Sequence, residues 1–271
     1  MKKIVLVLLA AGLVVLASCA KTGESGAGAQ QAAPTTLTVG VNPVPHGELL
    51  ELIKDDLAAE GIELKIVVFT DYVQPNEALI AGDLDANYFQ HIPYLESSEE
   101  WKSALAYLWG VHVEPYGLYS AKYKNLSDIP DGATIAVNND PSNEGRALLL
   151  LQANGLIKLD PASGLRATPR DITSNPRNFK FRELEAAQLP RSLPDVDAAT
   201  INGNYALEAG LNPVQDSLAI EGAESPYVNG LVVRKGDEGD PRLETLKKVL
   251  HTQKVRDYIG GKYDGGVVAT F

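Results

Sequence analysis

The clearest structural signal in the chain is the stretch Val137-Asn138-Asn139-Asp140-Pro141-Ser142-Asn143-Glu144-Gly145-Arg146, which four leucines follow at positions 148–151. A hydrophobic strand ends at Val137. Asp140 is a good helix N-cap, and Pro141 suits the first helical position, where its missing N–H needs no partner. The stretch therefore predicts a strand, a short loop and a helix over 141–154, which is one unit of an α/β fold.

Comparable units lie on both sides of this stretch. Short apolar runs alternate with helical patterns, which is typical of an α/β protein. Strands are predicted over 37–41, 63–69, 134–137, 180–185, 198–201 and 227–234. Helices are predicted over 47–60, 90–102 and 141–154, and a last amphipathic helix carries Leu243, Leu246, Val249 and Leu250.

The units form two sets along the chain, and we expect two lobes. Lobe 1 is predicted to combine residues 37–117 with residues 231–271, and lobe 2 to contain residues 118–230. Residues 116–119 would lead into the second lobe and residues 227–233 would return to the first. Two such crossing strands form a hinge on which the lobes can close around a ligand.

The first eighteen residues have the pattern of a secretory signal. A basic start precedes an apolar run over 4–17 that is short for a membrane span, and small residues precede Cys19. Lipoprotein processing reads this pattern, and Cys19 would then carry the lipid. Residues 19–36 are poor in bulky apolar side chains and predict a flexible tether. The alternative is an uncleaved membrane anchor with an incidental cysteine.

The composition limits the classes of partner and chemistry. Cys19 is the only cysteine, so the chain can form no internal disulfide and the mature domain has no cysteine nucleophile or ligand. With 24 basic and 35 acidic residues, the net charge is −11, which disfavours nucleic acid and anionic lipid as partners. A small ligand is not excluded, because a site can carry a local charge of either sign.

The N-terminus of the helix over 141–154 is a candidate anion site. Asn143 and Arg146 lie three residues apart and share one helix face near its positive end. An arginine can bind a carboxylate through two parallel hydrogen bonds, and an asparagine can add a third donor. The alternative is an ordinary capped helix with a solvated arginine.

Two aromatic stretches, 69–76 and 85–91, follow apolar runs and precede helical patterns, where α/β folds place loops that face ligands. Their aromatic side chains could form the walls of a slot for an apolar side chain, with Tyr and His as polar partners. Each aromatic residue could equally belong to the core.

A third candidate is Asn202, which follows the strand over 198–201. Its amide can both donate and accept, which suits a ligand with an ammonium and a carboxylate. A turn or a helix cap is the alternative. The loops at 185–191 and 225–229 are further candidates for the cleft or the hinge, and they could also be plain turns.

Known catalytic motifs are absent from the sequence. It contains no Gly-x-Ser-x-Gly elbow, no His-Glu-x-x-His pair and no phosphate loop. The four histidines, at positions 46, 91, 112 and 251, do not have metal-ligand spacing. We therefore expect no enzyme, no metal and no cofactor.

Five segments together resemble the methionine-binding lipoproteins of ABC importers, the NlpA-type family, and the resemblance runs from about residue 37 to residue 271. These segments are Asp71-Tyr72-Val73-Gln74-Pro75-Asn76-Glu77-Ala78-Leu79, Asp85-Ala86-Asn87-Tyr88-Phe89-Gln90-His91, Asn139-Asp140-Pro141-Ser142-Asn143-Glu144-Gly145-Arg146, Leu184-Glu185-Ala186-Ala187-Gln188-Leu189-Pro190-Arg191-Ser192-Leu193 and Glu224-Ser225-Pro226-Tyr227-Val228-Asn229. The resemblance implies a type II periplasmic-binding-protein fold with two α/β lobes and L-methionine held between them.

The same resemblance implies a role for each candidate residue. Arg146 and Asn143 would bind the ligand carboxylate, and Asn202 would hold the amino-acid backbone. The side-chain slot would be lined by Phe69, Tyr72, Phe89, His91 and Tyr116. The implied partners are an importer permease with its ATPase and, through the lipid, a membrane outside the cytoplasm; the protein would be a monomer. Alternatives are another small apolar amino acid or a short peptide as ligand, and a surface adhesin or lipid-anchored enzyme on the same scaffold.

Overall fold

The computed structural model describes residues 35–222 and 225–271. The predicted signal over 1–18, the lipidated Cys19 and the tether as far as residue 34 lie outside the described residues. No helix within the described ranges is long and apolar enough to cross a membrane.

Thirteen strands occur in the described part of the chain. They are β1 (Thr35–Val41), β2 (Ile62–Val68), β3 (Ala86–His91), β4 (Leu105–Val113), β5 (Gly117–Tyr119), β6 (Thr134–Asn138), β7 (Lys158–Leu159), β8 (Ile172–Ser174), β9 (Lys180–Leu184), β10 (Ala198–Ile201), β11 (Ala219–Ile220), β12 (Val228–Arg234) and β13 (Val268–Ala269).

Two larger sheets organise these strands. The first has the order β13-β4-β12-β3-β1-β2, with β1 parallel to β2 and β3, and β12 antiparallel to β3 and β4. The second has the order β11-β5-β10-β6-β9, with β6 parallel to β9 and β10. A small third sheet pairs β7 with β8. The two larger sheets are the centres of two α/β lobes.

Eleven α-helical segments accompany the strands in the described ranges. They are α1 (Glu48–Leu52), α2 (Lys54–Ala59), α3 (Gln74–Ala81), α4 (Ile92–Leu95), α5 (Glu99–Ala104), α6 (Pro141–Ala153), α7 (Leu189–Ser192), α8 (Gly203–Glu208), α9 (Pro213–Asp216), α10 (Pro241–Leu250) and α11 (Gln253–Tyr263).

The strand, loop and helix predicted over 134–154 form as β6 and α6. The side chain of Asp140 accepts the N–H of Asn143 at 2.9 Å, so it caps α6, and Pro141 occupies the first turn. Gly155 follows the helix with a φ of 71°, in the left-handed region that glycine adopts without strain. Local sequence therefore fixes both ends of this helix.

Several other predictions need correction. Residues 86–91, expected as a loop, form β3, and the helix expected over 90–102 is replaced by the end of that strand and by α4 and α5. The cause is that β3 is buried along its whole length while carrying polar side chains. Asn87 and Gln90 bond to Asn76 at 2.8 and 2.6 Å, so these polar groups are satisfied without water.

The helix expected over 47–60 is divided into α1 and α2 at Ile53, whose backbone leaves the helical region with ψ near 3°. The predicted apolar stripe is nevertheless buried, because Leu49, Ile53 and Leu57 all pack in the first core. The helix α11 was not predicted; it follows α10 directly and adds Val255 and Ile259 to that core.

Each lobe has its own apolar core. The first lies under β1 and β3, where Leu246 of α10 is fully buried among aliphatic and aromatic side chains. The second surrounds β6 and α6, with Val137 and Leu148 among its members. Two cores of this kind allow the lobes to move as separate bodies.

Replacing Leu246 with alanine is expected to lower the free energy of unfolding by about 2–5 kcal/mol, because it leaves a cavity in the first core. Urea denaturation followed by circular dichroism measures this change. The exposed Lys248 lies two residues further along α10. Its alanine variant should stay within about 0.5 kcal/mol of the parent, and equal effects of the two replacements would contradict the packing described.

The chain passes between the sheets twice. It leaves β4 through residues 114–116 to enter β5, and it returns from β11 to β12 through 221–227, of which 223 and 224 are not described. The predicted crossings, 116–119 and 227–233, lie just after these passages and fall mainly within β5 and β12. The division of the lobes at 37–117 with 231–271, and 118–230, stays a prediction; in the structure, Val228–Arg234 pairs with the first sheet along its whole length.

Candidate functional site

An enclosed cavity lies where the two lobes meet. In this closed form its volume is about 20 Å³, little more than the room that one water molecule needs. Its lining comes from both lobes and from the crossing segment. The lining residues are Tyr72, Phe89, Gln90, His91, Tyr94, Glu114, Asn143, Arg146, Asn202, Gly203, Asn204 and Asn229.

The position of the cavity follows from the topology. His91 ends β3, Glu114 follows β4, and Asn202 follows β10. In α/β proteins, ligand sites form outside the carboxyl ends of the parallel strands, where loop side chains converge. The two sheets direct such ends of β3 and β10 toward the same cavity.

The structure brings six of the eight predicted ligand-binding residues to this cavity. They are Tyr72, Phe89, His91, Asn143, Arg146 and Asn202. Whether they hold a ligand stays a prediction. The other two, Phe69 and Tyr116, do not line it.

Phe69 packs behind the cavity, in the apolar cluster that contains Phe89 and Tyr94. Tyr116 is fully buried in the core of the second lobe. Its ring lies 5.0 Å from the guanidinium carbon of Arg146, and its hydroxyl donates to Asn138 Oδ1. Both residues therefore support the cavity wall rather than form its surface.

Arg146 is the only cationic side chain among the lining residues. Its Nε and Nη2 donate to the two carboxylate oxygens of Glu221, at 3.1 and 2.5 Å, and Nη2 also donates to the Glu114 carbonyl at 2.9 Å. The guanidinium also lies 4.2 Å from the centre of the Tyr227 ring. These contacts fix the plane of the guanidinium and leave Nη1 without a hydrogen-bond partner among the described residues.

A chain of amides lies beside Arg146. Asn138 Nδ2 donates to Asn202 Oδ1 at 2.9 Å, and Asn202 Nδ2 donates to Asn143 Oδ1 at 2.9 Å. Asn143 Nδ2 then donates to the Asp140 carboxylate at 3.0 Å. Because each amide is oriented by the next, Asn143 and Asn202 present fixed donors and acceptors to the cavity.

Glu114 is the buried carboxylate of the cavity. Its Oε1 lies 2.8 Å from His112 Nε2 and 3.3 Å from His46 Nε2, and its Oε2 accepts the Asn204 N–H at 2.7 Å. Burial alone would raise the pKa of Glu114, but His46, His112 and the Asn204 N–H together hold it below its ordinary value. Glu114 is therefore ionised at neutral pH, and none of the described lysines or arginines pairs with its carboxylate.

Aromatic rings form much of the remaining wall of the cavity. The ring centre of Tyr72 lies 6.0 Å from that of Phe89, 5.7 Å from that of Tyr94 and 5.0 Å from that of Tyr205. The ring of His91 lies 4.9 Å from that of Tyr227. The lining therefore combines aromatic rings with charged and amide groups.

Hydrogen bonds join the lobes across the cavity. Tyr72 Oη donates to Asn204 Oδ1 at 2.5 Å, and Tyr205 Oη donates to the Thr70 carbonyl at 3.0 Å. Further out, Arg166 Nη2 donates to the Glu96 carbonyl at 2.7 Å. The structure is therefore a closed form in which the lining residues are shielded from water.

The buried histidines predict a loss of stability in acid. Burial lowers the pKa of His46 to about 4, and burial followed by the charge of Arg146 lowers the pKa of His91 to about 3. An unfolded histidine titrates near 6.5, so between that pH and the folded pKa the unfolded chain binds more protons. Above about pH 6.5 these histidines do not lower the free energy of unfolding. Below that pH it falls, by roughly 3 kcal/mol for each histidine at pH 4 relative to pH 7.

Urea denaturation at pH 7, 5.5 and 4 measures this loss, and a His91→Gln variant should show a shallower decline than the parent. An unfolding free energy that is the same at pH 7 and pH 4 would contradict the buried neutral state of these histidines.

Sequence reasoning missed several lining residues. They are Gln90, Tyr94, Glu114, Gly203, Asn204 and Asn229. Asn229 lies in the segment 225–229, which is a candidate cleft loop in the sequence analysis. Gly203 and Asn204 are the next two residues after the candidate Asn202. Nothing in the sequence marked Glu114, because one of its partners, His46, lies far away in the chain and the other, His112, lies inside an apolar strand, β4.

Two α/β lobes that close over a small cavity, with an arginine and a buried carboxylate inside it, define a two-lobed ligand-binding protein of the periplasmic type. The chain belongs to the NlpA lipoprotein family, whose model matches residues 37–271. This confirms the resemblance read from the sequence.

Relatives cover nearly the whole chain. The membrane lipoprotein TpN32 of Treponema pallidum is 47% identical over 235 residues, which are 86% of this chain and 88% of that protein. A probable D-methionine-binding lipoprotein MetQ of Pasteurella multocida is 43% identical over 259 residues, 94% of each. A nutrient-binding protein from Burkholderia cenocepacia, solved bound to methionine, is 45% identical with a TM-score of 0.84, over 87% of this chain and 100% of that one. The predicted fold class, two-lobed and α/β with a hinge, is confirmed.

Proposed function

We propose that this chain is a lipid-anchored binding protein that captures methionine between its lobes and delivers it to an ABC importer. The observation that carries the proposal is the pairing, inside one closed cavity, of a guanidinium with a free edge and a buried carboxylate without a lysine or arginine partner. A zwitterionic amino acid carries the two complementary charges. The methionine-bound relative from Burkholderia cenocepacia supports the choice of ligand.

The ligand carboxylate would bind at Arg146. Glu221 already occupies Nε and Nη2, so the ligand would use Nη1 and not the complete fork expected from the sequence. Asn204 Nδ2 is a second donor, since it is buried and has no partner among the described residues. Asn143 and Asn202 would add their fixed amides.

The ligand ammonium would bind at Glu114. The buried Glu114 carboxylate has no lysine or arginine partner among the described residues, and burial of a charge without a matching cation is unfavourable. An ammonium group would supply the missing cation. The Asn229 Oδ1 and Gln90 lie on the same lining and offer further acceptors.

The methionine side chain would extend along the aromatic wall of Tyr72, Phe89, His91 and Tyr94. A thioether is unbranched and polarisable, and its sulfur makes favourable contacts with aromatic rings. The same wall would accept other small apolar side chains with poorer contact. Discrimination by an apolar pocket is worth only about 1–3 kcal/mol for each methylene.

Transport would follow from lobe closure. A ligand that contacts both lobes favours the closed form in proportion to its difference in affinity for the two states. The closed form would be the one that the importer permease and its ATPase recognise. Lipid on Cys19 would hold the monomer at a membrane outside the cytoplasm, with residues 19–36 as the tether.

Family membership supports a binding protein and not an enzyme. One experiment distinguishes the proposal from two alternatives. These are another amino acid or a short peptide as ligand, and an adhesin that uses the lobes only as a scaffold. The full-length chain would be purified in detergent without added ligand, denatured, and the released small molecules identified by mass spectrometry. Unmodified methionine, at about one per chain, is the expected result. Another amino acid, a peptide or no small molecule would each overturn it.

A further inference from the structure

Two histidines and a glutamate form a cluster at the inner edge of the cavity. His46 lies in the loop after β1, His112 lies in β4, and Glu114 follows that strand. Their side chains are 1%, 0% and 6% exposed. One potential ligand atom from each lies within 4.8 Å of the others. Residue spacing does not reveal this cluster, since the two histidines are 66 positions apart.

The distances within the cluster approach those of a metal site. Glu114 Oε1 lies 3.3 Å from His46 Nε2 and 2.8 Å from His112 Nε2. In a tetrahedral zinc site with bonds of about 2.0–2.1 Å, neighbouring ligand atoms are about 3.3 Å apart. The first distance already agrees, and the second requires a shift of about half an ångström. The ligand atoms lie within 4.8 Å of one another, so the two imidazole nitrogens would also have to approach each other when a metal binds.

His46 makes its side-chain contacts through Nε2, and the two acceptor oxygens there favour a proton on Nε2. Nε2 faces both Glu114 Oε1 and Asn229 Oδ1, the latter at 3.1 Å, whereas Nδ1 has no hydrogen-bond partner among the described residues. A shift of the proton to Nδ1 would free the Nε2 lone pair and would break only the two contacts of Nε2. A cation bound between Nε2 and the two oxygens would take the place of those contacts.

The other two ligands are held by neighbouring groups. His112 Nδ1 lies 2.5 Å from Tyr88 Oη, and Glu114 Oε2 accepts the Asn204 N–H at 2.7 Å. Metal-binding histidines and carboxylates are commonly oriented in this way through their second polar atom. His112 Nε2 and Glu114 Oε1 are therefore held toward a common point.

We propose that His46, His112 and Glu114 bind one divalent transition-metal ion, with Zn²⁺ as the reference ion. Two imidazoles and one carboxylate favour Zn²⁺ and its first-row neighbours over Mg²⁺ and Ca²⁺, which prefer oxygen ligands. The fourth position faces the cavity, because Glu114 and Asn229 also line it. The carboxylate supplies a negative charge that none of the described lysines or arginines neutralises.

A metal ion would compete with the ligand ammonium for Glu114. This consequence depends on the proposed function, whereas metal binding itself does not. Titration of the metal-free chain with methionine tests the function, and titration of the ligand-free chain with metal tests the cluster.

The test uses the full-length chain, treated with a chelator and stripped of ligand by unfolding and refolding. Zn²⁺ is titrated calorimetrically, and Co²⁺ is added as a probe with visible absorption. We expect one equivalent of each ion to bind. His46→Gln and His112→Gln should each weaken Zn²⁺ binding at least ten-fold, whereas the control His251→Gln, beside Trp109 and away from the cluster, should match the parent.

A measurement on the unaltered chain guards against variants that fail to fold. The chain has four histidines, so their imidazole signals can be resolved by NMR after isotope labelling. Addition of Zn²⁺ should shift the signals of His46 and His112 and leave that of His251 in place. Absence of Zn²⁺ binding, or Zn²⁺ binding that shifts His251 and neither cluster histidine, would overturn the proposal.

Discussion

An Arg146→Ala variant is expected to bind L-methionine about 30- to 4000-fold more weakly than the parent, which corresponds to about 2–5 kcal/mol. The guanidinium pairs with Glu221 and would also donate Nη1 to the ligand carboxylate. Without the guanidinium, the carboxylates of Glu221 and of the ligand would lie near each other with no cation between them. The lost attraction and the new repulsion would both weaken methionine binding.

Isothermal titration calorimetry of the refolded protein measures this change. Arg146→Lys should give an intermediate affinity, because an ammonium keeps the charge and loses the planar fork. The control is Arg170→Ala, which removes an exposed arginine outside the cavity. An Arg146→Ala affinity within two-fold of the parent would remove Arg146 from the ligand site.

A Glu114→Gln variant should bind L-methionine at least 30-fold more weakly, a loss of about 2 kcal/mol or more. Glutamine has nearly the same size and keeps an oxygen for the Asn204 N–H, so the change removes mainly the negative charge that would face the ligand ammonium. Titrations of metal-free protein isolate this effect from any bound ion.

The deaminated analogue of methionine separates charge from packing. It lacks the ammonium, so Glu114→Gln should change its affinity much less than that of methionine. Glu144 supplies a control, since it is also buried and does not line the cavity. Burial raises its pKa to about 7, so the titrations are run at pH 8, where both glutamates are ionised. Equal losses for both ligands, or an equal loss in Glu144→Gln, would contradict the assignment of Glu114 to the ammonium.

The parts of the fold that local sequence determines were predictable. The strand β6 and the helix α6 follow from an apolar run, a capping aspartate and a proline in the first helical turn. The strand β3 was not predictable, because it is fully buried and yet carries Asn87 and Gln90, so its sequence lacks the apolar pattern of a buried strand. Its polar groups are satisfied by Asn76, which lies eleven positions before Asn87, and only the tertiary structure reveals that contact.

In the candidate site, too, the contacts between residues distant in sequence could not be predicted. Arg146 and Asn202 could be selected from their positions at strand and helix ends. The pairing of Arg146 with Glu221, 75 positions away, could not, and it changes how many donors the guanidinium can offer. Glu114 was also missed, because its ionisation depends on His46 as well as on the nearby His112, and only folding of the first lobe brings His46 beside it.

The most direct test of the central claim is a calorimetric titration of the stripped full-length chain with L-methionine, followed by leucine and glutamine in separate runs. The account predicts tight one-to-one binding of methionine and much weaker or no binding of the other two. No heat with methionine, or an equal affinity for leucine, would contradict it.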